Sequence, residues 1–495
     1  MKILLINPAV LGMYKAAKIF TPPMGLTYIA SYLRENGHNV QFIDCTVNDN
    51  SIDYSYADLV GITSCTYNYN TALEYAQQAH ECGKTVVMGG VHVSCMPNEA
   101  LMSGYVDYVV RGEGEETMLE LVNVLESGGE KMFIEKIKGL SWYDKQDNVI
   151  KHNPDRPAIS NLDKLPYPAR DLLDIDYYKK MKLDKNKSTI TVLTSRGCPY
   201  KCNYCVIPKI NSRIWREREV NCVTDEVETL LNDYGFKAIL FVDDNLTINK
   251  NRTIELCKEF IRRKLDFKWW CQSRADTIAN NEDMVETMAE AGCITVFLGL
   301  ESGSDKVLKN YNKKSTSDTG INAVDMLNKY GIGPFGAFII GSYDETPEDI
   351  DKTINYSLEL NLESAQYSIL TPYPGTDIYK FLKDKLLTRN WDLFDGVHAL
   401  FNTKHLSTQE LNKILYKAYR KYYFRLKYFF NFSNKISTSS ILSLLHYAKN
   451  LKNKSWKNLY NLYKDKPIYE PLEDLNTQET KIEKPLTDIS DEKET

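Results

Sequence analysis

The chain has 495 residues, a net charge of −5, 43% hydrophobic and 26% charged residues. That is too long for one core, so two or three ordinary globular domains are expected, and nothing in the charge suggests a nucleic-acid footprint, so no nucleic-acid partner is expected. No run of eighteen apolar residues occurs and MKILLINPAV turns polar too soon for a signal peptide, so no transmembrane span and a cytoplasmic location are expected.

In chain order, KILLIN (2–7), VQFID (40–44), DLVGIT (58–63), TVVMGG (85–90) and DYVVRG (107–112) read as strands. Between them GLTYIASYLRENG (25–37), TALEYAQQAHECG (71–83) and EETMLELVNVLESG (115–128) have helical apolar spacing. Alternation of this kind implies a doubly wound parallel sheet, and five strands fit the flavodoxin-like version, with ligands outside the strand C-termini. The fold class is α/β, with a flavodoxin/Rossmann-like domain over 1–135. Residues 136–185 read as a linker with a small hairpin (KGLSWYD, NVIKH) and a Pro-, Asp- and Asn-rich stretch, 155–170. Six strands follow in a second βα series over 186–400: ITVLTS, AILFVDD, KWWCQSR, TVFLGLES, GPFGAFIIG and SAQYSIL. Six units predict an open (β/α)6 barrel, two short of a closed one, with chemistry at the strand C-terminal ends. Residues 401–470 turn helical, led by the amphipathic stretch 406–430, and the polar tail 471–495 reads as disordered.

The chain carries eleven cysteines, scattered except for one cluster. RGCPYKCNYC sets Cys198, Cys202 and Cys205 in a C-x3-C-x2-C pattern just after a strand, where one loop can turn three thiolates to one point. A structural zinc site is normally closed by four Cys or His, and no His lies within 201–210. A four-iron cluster held by three cysteines keeps one iron without a protein ligand, open to a small molecule.

With these cysteines the sequence resembles the radical S-adenosylmethionine (SAM) superfamily over roughly 186–380. The resemblance implies a [4Fe-4S] cluster on Cys198, Cys202 and Cys205 whose open iron chelates SAM, and reductive cleavage of SAM to a deoxyadenosyl radical. It also assigns Tyr204 to the aromatic position before the third cysteine. Asp243 and Asp244 in FVDDN, Arg274 in WCQSRAD, and Glu301 and Ser302 in GLESGSDKVL then fall at successive strand ends as SAM contacts. Gly341 falls in the glycine motif GAFIIGSYDET, and LTPYPGT at the sixth strand end. Singly, the two aspartates would serve as well to cap a helix, Arg274 as an ion pair and Gly341 as a packing residue. Five matches in order after the cysteines carry the joint reading.

The first domain resembles the cobalamin-binding domain that precedes the barrel in one radical SAM class. PPMGLTYIASYLRENGH, GITSCTYN, MGGVHVSCMP and VVRGEGEET match its helix and loops. Thr63, Ser64, Gly89, Gly90, His92, Glu113 and Gly114 are the implied contacts, glycine letting backbone approach a large planar ligand. The D-x-H-x-x-G motif of many cobalamin domains is missing, with Thr46 in the place of its histidine. That implies a cobalt without a lower histidine, and His92 in its loop reads as a hydrogen-bonding residue.

The resemblance implies cobalamin-dependent methylation of an unactivated carbon. Rival readings are a cobalamin-dependent radical cyclase or oxidoreductase, a radical SAM enzyme with a vestigial first domain, and a non-enzymatic iron–sulfur electron relay or scaffold. Methylthiolation normally uses a second cluster, and Cys45, Cys65, Cys82 and Cys95 lack tight ligand spacing. No residue stands out as a general acid or base. Expected partners are a small-molecule, lipid, tetrapyrrole or peptide substrate and a reductant such as flavodoxin or ferredoxin. The amphipathic C-terminal segment is expected to pack on the barrel, the alternative being a membrane surface.

Overall fold

The computed structural model describes residues 1–9, 21–47, 51–184, 187–425 and 478–481. The first sheet holds β1 (Lys2–Asn7), β2 (Asn39–Asp44), β3 (Leu59–Thr63), β4 (Thr85–Gly89) and β5 (Tyr108–Val110), parallel in the order 2-1-3-4-5. That is the flavodoxin-like order expected from the alternation. Ile3, Leu4, Leu5 and Ile6 are all buried, the continuous apolar run of a strand covered on both faces. Helices α1 (Met24–Glu35) and α3 (Glu115–Glu126) cover one face, and α2 (Tyr69–Glu81) the other.

The hairpin β6 (Leu140–Asp144) and β7 (Val149–His152), read in sequence as part of a linker, adds antiparallel to β5 and extends this sheet. Its short strands alternate poorly, and it is the free edge of β5 that recruits them. Within the polar tail, Gln478–Lys481 pairs antiparallel with β7, a strand that the composition did not signal, and the rest of 471–495 lies outside the described residues.

The second sheet runs β8 (Lys182–Asp184), β9 (Lys187–Val192), β12 (Ala238–Phe241), β13 (Lys268–Arg274), β14 (Cys293–Glu301), β15 (Gly333–Ile340) and β16 (Ser364–Ile369). From β9 onward all six are parallel, and β9 and β16 do not pair, which is the open half-barrel expected. A two-stranded ribbon, β10 (Ser195–Arg196) and β11 (Arg216–Glu217), flanks the cysteine loop.

After β16 the chain returns to the first sheet before it enters α4 (Thr408–Tyr423). Trp391, Phe394, Leu400 and Phe401 share a core with Ala72 and Ala76 of α2. The segment is pinned by Asn70 Nδ2, which donates to Asn390 and Asp392 at 3.0 Å each, and by Trp391 Nε1, which donates to Glu99 at 2.8 Å. Helix α4 starts at a Ser407–Glu410 capping box and packs on the barrel: Tyr423 Oη donates to the Ala365 carbonyl at 2.7 Å and Tyr422 Oη to that of Leu362 at 3.1 Å. Among the described residues no helix is long and apolar enough to cross a membrane.

Candidate active site

Cys198, Cys202 and Cys205 sit partly exposed on the loop between β10 and the short helix Ile207–Ile210. Burial lifts the Cys205 thiol to about 12, and the neighbouring charges of Cys202 and Cys198 add to it. Among the described residues, no three Cys, His, Asp or Glu side chains converge on the spacing of a single metal ion. Thiolates at three corners of an iron–sulfur cube stand further apart than ligands of one ion. Three thiols on one loop, with the Asp244 carboxylate near Cys198 and Cys205, are a donor set that suits such a cluster.

The loop is held from outside. Asn203 Nδ2 donates to the Asn310 carbonyl at 2.6 Å, Asn312 Nδ2 to that of Lys201 at 2.7 Å, and the Ile378 N–H to that of Asn203 at 3.2 Å. The Arg274 guanidinium stacks 3.7 Å from the Tyr200 ring centroid and pairs with Asp276 at 2.9 Å. Arg274 thus braces the cysteine loop.

The other strand-end residues divide in two. Asp243 is fully buried and accepts from the Thr194 N–H and hydroxyl and from Ser195 Oγ, so it anchors the start of the cysteine loop. Ser302 is likewise buried, bonded to Thr353 Oγ1 at 2.8 Å and to the Ser304 N–H at 3.1 Å. Gly341 takes a φ of +85° and donates its N–H to Glu345 Oε2 at 2.6 Å. Burial lifts the Glu345 carboxyl to about 7. Asp244, Tyr204 and Glu301 face open space. Asp244 accepts from the Gly197 N–H at 3.1 Å, and although its side chain opens to the cleft, the protein packed around that cleft raises its carboxyl to about 6. Glu301, at φ +64°, accepts from Tyr204 Oη at 2.9 Å and Lys313 Nζ at 2.6 Å. Tyr204 and Glu301 line a cavity of about 220 Å³ with Ala337, Ile339, Gln366 and Tyr373. Sequence reasoning missed Lys313 and Glu345. A lysine in NYNKKST has no pattern that marks it as buried, and Glu345 lay unremarked inside the glycine motif.

A larger cavity, about 430 Å³, lies where the rim of the first sheet faces the barrel. Thr63, Gly89, Gly90, Glu113 and Gly114 line it, with Leu5, Gly61, Val87 and Met118 deeper down. The barrel side supplies Arg196, Gly197, Ile207, Asn211 and Asp244. Gly90 takes a φ of +101°, and a Cβ there would stand 2.5 Å from the Ser64 carbonyl oxygen. Seven glycines and a mostly aliphatic wall suit a large planar ligand approached by backbone.

Two expected contacts are elsewhere. Ser64 is fully buried behind the rim, its hydroxyl 3.4 Å from the Gly89 carbonyl. His92 is 1% exposed, with ring centroids 4.3 Å from Tyr69 and 4.8 Å from Trp391, and its Nδ1 is 3.3 Å from Thr66 Oγ1. Among the described residues that line the cavity there is no histidine.

Two family models match: the Radical SAM superfamily over residues 192–357 and the B12 binding domain over residues 14–122. An uncharacterized methyltransferase of Pyrococcus horikoshii is 37% identical over 441 residues, covering 86% of this chain and 93% of its own. The anaerobic magnesium-protoporphyrin IX monomethyl ester cyclase of Rubrivivax gelatinosus is 28% identical over 414 residues, 81% of this chain and 74% of its own. Among solved structures, the radical SAM methyltransferase TsrM of Kitasatospora setae, with cobalamin and a [4Fe-4S] cluster bound, has the same fold. It superposes with a TM-score of 0.65 at 20% identity, covering 77% of this chain and 74% of that one.

Proposed function

The chain belongs to the radical SAM superfamily, in the methyltransferase-like class that carries a B12-binding domain, and from that premise we propose that this enzyme methylates an unactivated carbon of a small-molecule substrate. The observation that carries the reading is the 430 Å³ cavity, whose glycine rim belongs to the first sheet and whose opposite wall, Arg196, Gly197 and Ile207, adjoins the cysteine loop. Cys198, Cys202 and Cys205 would hold a [4Fe-4S] cluster, Tyr204 and Glu301 would lie against SAM, and the larger cavity would take the corrin ring of cobalamin. The cluster supplies the electron that splits the SAM sulfonium, and cobalamin supplies a methyl carrier.

The chain's own part is placement. Gly89, Gly90 and Gly114 admit a ring edge to the backbone, and the aliphatic wall of Leu5, Val87 and Met118 keeps water out. Lys313 and Tyr204 fix the Glu301 carboxylate in one orientation, and Arg274 braces the loop through Tyr200.

The test is product analysis. Anaerobically reconstituted protein with SAM, hydroxocobalamin and flavodoxin or ferredoxin as reductant is expected to form both deoxyadenosine and S-adenosylhomocysteine. Extracts of cells that contain the protein should hold a metabolite heavier by one CH2 than those that lack it. Deoxyadenosine without S-adenosylhomocysteine would replace methylation with the ring-forming reaction that the Rubrivivax relative performs. No SAM cleavage at all would sink both.

A further inference from the structure

Arg196 stands two residues before Cys198, yet its side chain leaves the barrel. Its Nη2 donates to Glu115 Oε1 at 2.7 Å and its Nη1 to Glu113 Oε1 at 3.2 Å, both on the rim of the first sheet. Its guanidinium lies 5.0 Å from the centroid of the Tyr28 ring of α1. Arg216, its partner across the β10–β11 ribbon, donates to the second oxygen of Glu113 at 2.7 Å. The group is enclosed, with side-chain exposures of 12% for Arg196, 11% for Glu113 and 3% for Glu115. Burial alone would raise the Glu113 carboxyl. The Arg216 hydrogen bond and the Arg196 charge outweigh it and leave Glu113 below the usual carboxylate range.

Tyr28, Glu113, Glu115 and Arg196 all line the 430 Å³ cavity. The next residue, Gly197, turns at φ +89° and donates its N–H to Asp244, so the position of Arg196 is passed by one rigid turn to Cys198. A ligand that fills the cavity displaces water from beside these charges. In the drier surroundings their attraction strengthens, and the loop that follows Arg196 is held harder.

We propose that Arg196 is a positioning residue that couples the two cofactor sites, so that a corrinoid in the cavity and an iron–sulfur cluster on the cysteines each tighten the binding of the other. The inference rests on the cofactor assignment under Proposed function. Coupling of this kind is reciprocal, and it is read from binding.

The experiment is equilibrium dialysis of the full chain against hydroxocobalamin, once without the cluster and once after anaerobic reconstitution. The wild type is expected to bind about tenfold tighter with the cluster present, within the roughly 5–150-fold span of such couplings. In Arg196→Met the ratio falls to about one. Arg196→Lys keeps a point charge without the two-pronged geometry, and its ratio is intermediate. Glu113→Gln weakens the same link from the other side and tests it should Arg196→Met fail to retain iron. A residue that merely glued the domains together would lower both affinities and leave the ratio alone. An equal affinity with and without the cluster in the wild type, or a ratio kept in both Arg196→Met and Glu113→Gln, overturns the coupling. Absence of hydroxocobalamin binding in both states overturns the cobalamin assignment itself, and the coupling with it.

Discussion

The two sheets end in rims of opposite character. That of the first is backbone: Gly89, Gly90, Gly112 and Gly114 ring the cavity, and the side chains beneath them are aliphatic. That of the barrel is side chain: Asp243, Asp244, Arg274, Glu301 and Lys313 are committed to ion pairs and hydrogen bonds that hold the loops. Under the proposed function the first rim would recognise its ligand by shape, and the second would position donors for its own. A change at either should therefore damage one cofactor and spare the other, except through Arg196.

The largest effect is expected at the thiols. Replacing Cys198, Cys202 and Cys205 by alanine should abolish bound iron and deoxyadenosine formation, while hydroxocobalamin is still retained, as iron analysis and dialysis would show. If iron stays, the barrel rim has been misread.

Next comes Gly90→Ala. Its φ of +101° and the Ser64 carbonyl 2.5 Å from the added Cβ force the rim to move. A loss of about 1–3 kcal/mol of stability is expected, with hydroxocobalamin affinity down by more than about tenfold and iron content unchanged. Unaltered affinity would show that the backbone rim does not touch the ligand.

Glu345 offers a pH test of similar size. It is 1% exposed and its carboxyl is raised from 4.5 to about 7 by burial. The folded state therefore favours the protonated form. Its contribution to stability is complete below about 4.5 and is lost as pH rises through about 7, to a total of about 3 kcal/mol. Urea melts across that window should show the loss in wild type and not in Glu345→Gln. An identical slope in both would assign it to other groups.

Smaller still is Arg274→Met, which removes the stack on Tyr200 and the pair with Asp276. About 1 kcal/mol of stability and faster loss of iron to a chelator are expected. At the bottom of the scale, His92→Gln should leave hydroxocobalamin affinity within about twofold, since His92 lies behind the rim. A collapse of affinity there would return it to the ligand sphere.

Much of this was legible in the sequence. The parallel strands announce themselves as buried apolar runs such as KILLIN, and three cysteines in one loop state their chemistry through their number. Side-chain direction at strand ends was not legible. In FVDDN two adjacent carboxylates look alike, and only the fold shows that Asp243 turns back to Thr194 while Asp244 opens to the cavity. Ser64 and His92 do not line the cavity for a related reason, because a loop motif fixes backbone placement and leaves open which side chains stay behind it. The barrel half of the cavity wall, Ile207 and Asn211, was invisible too, since contacts between domains leave no periodicity in either one.

The return of residues 390–401 to the first sheet has a mechanical consequence. The half-barrel is tethered at both ends, by the connection that leads into β8 and by the seat of Trp391 against Glu99 and His92. Such a belt adds a second connection that any opening between the halves would have to release. It also means that the first 135 residues are no detachable cassette. Cut away, they would leave Trp391, Phe394 and Phe401 as a bare greasy face, and a graft from another protein would have to bring a matching seat for that belt.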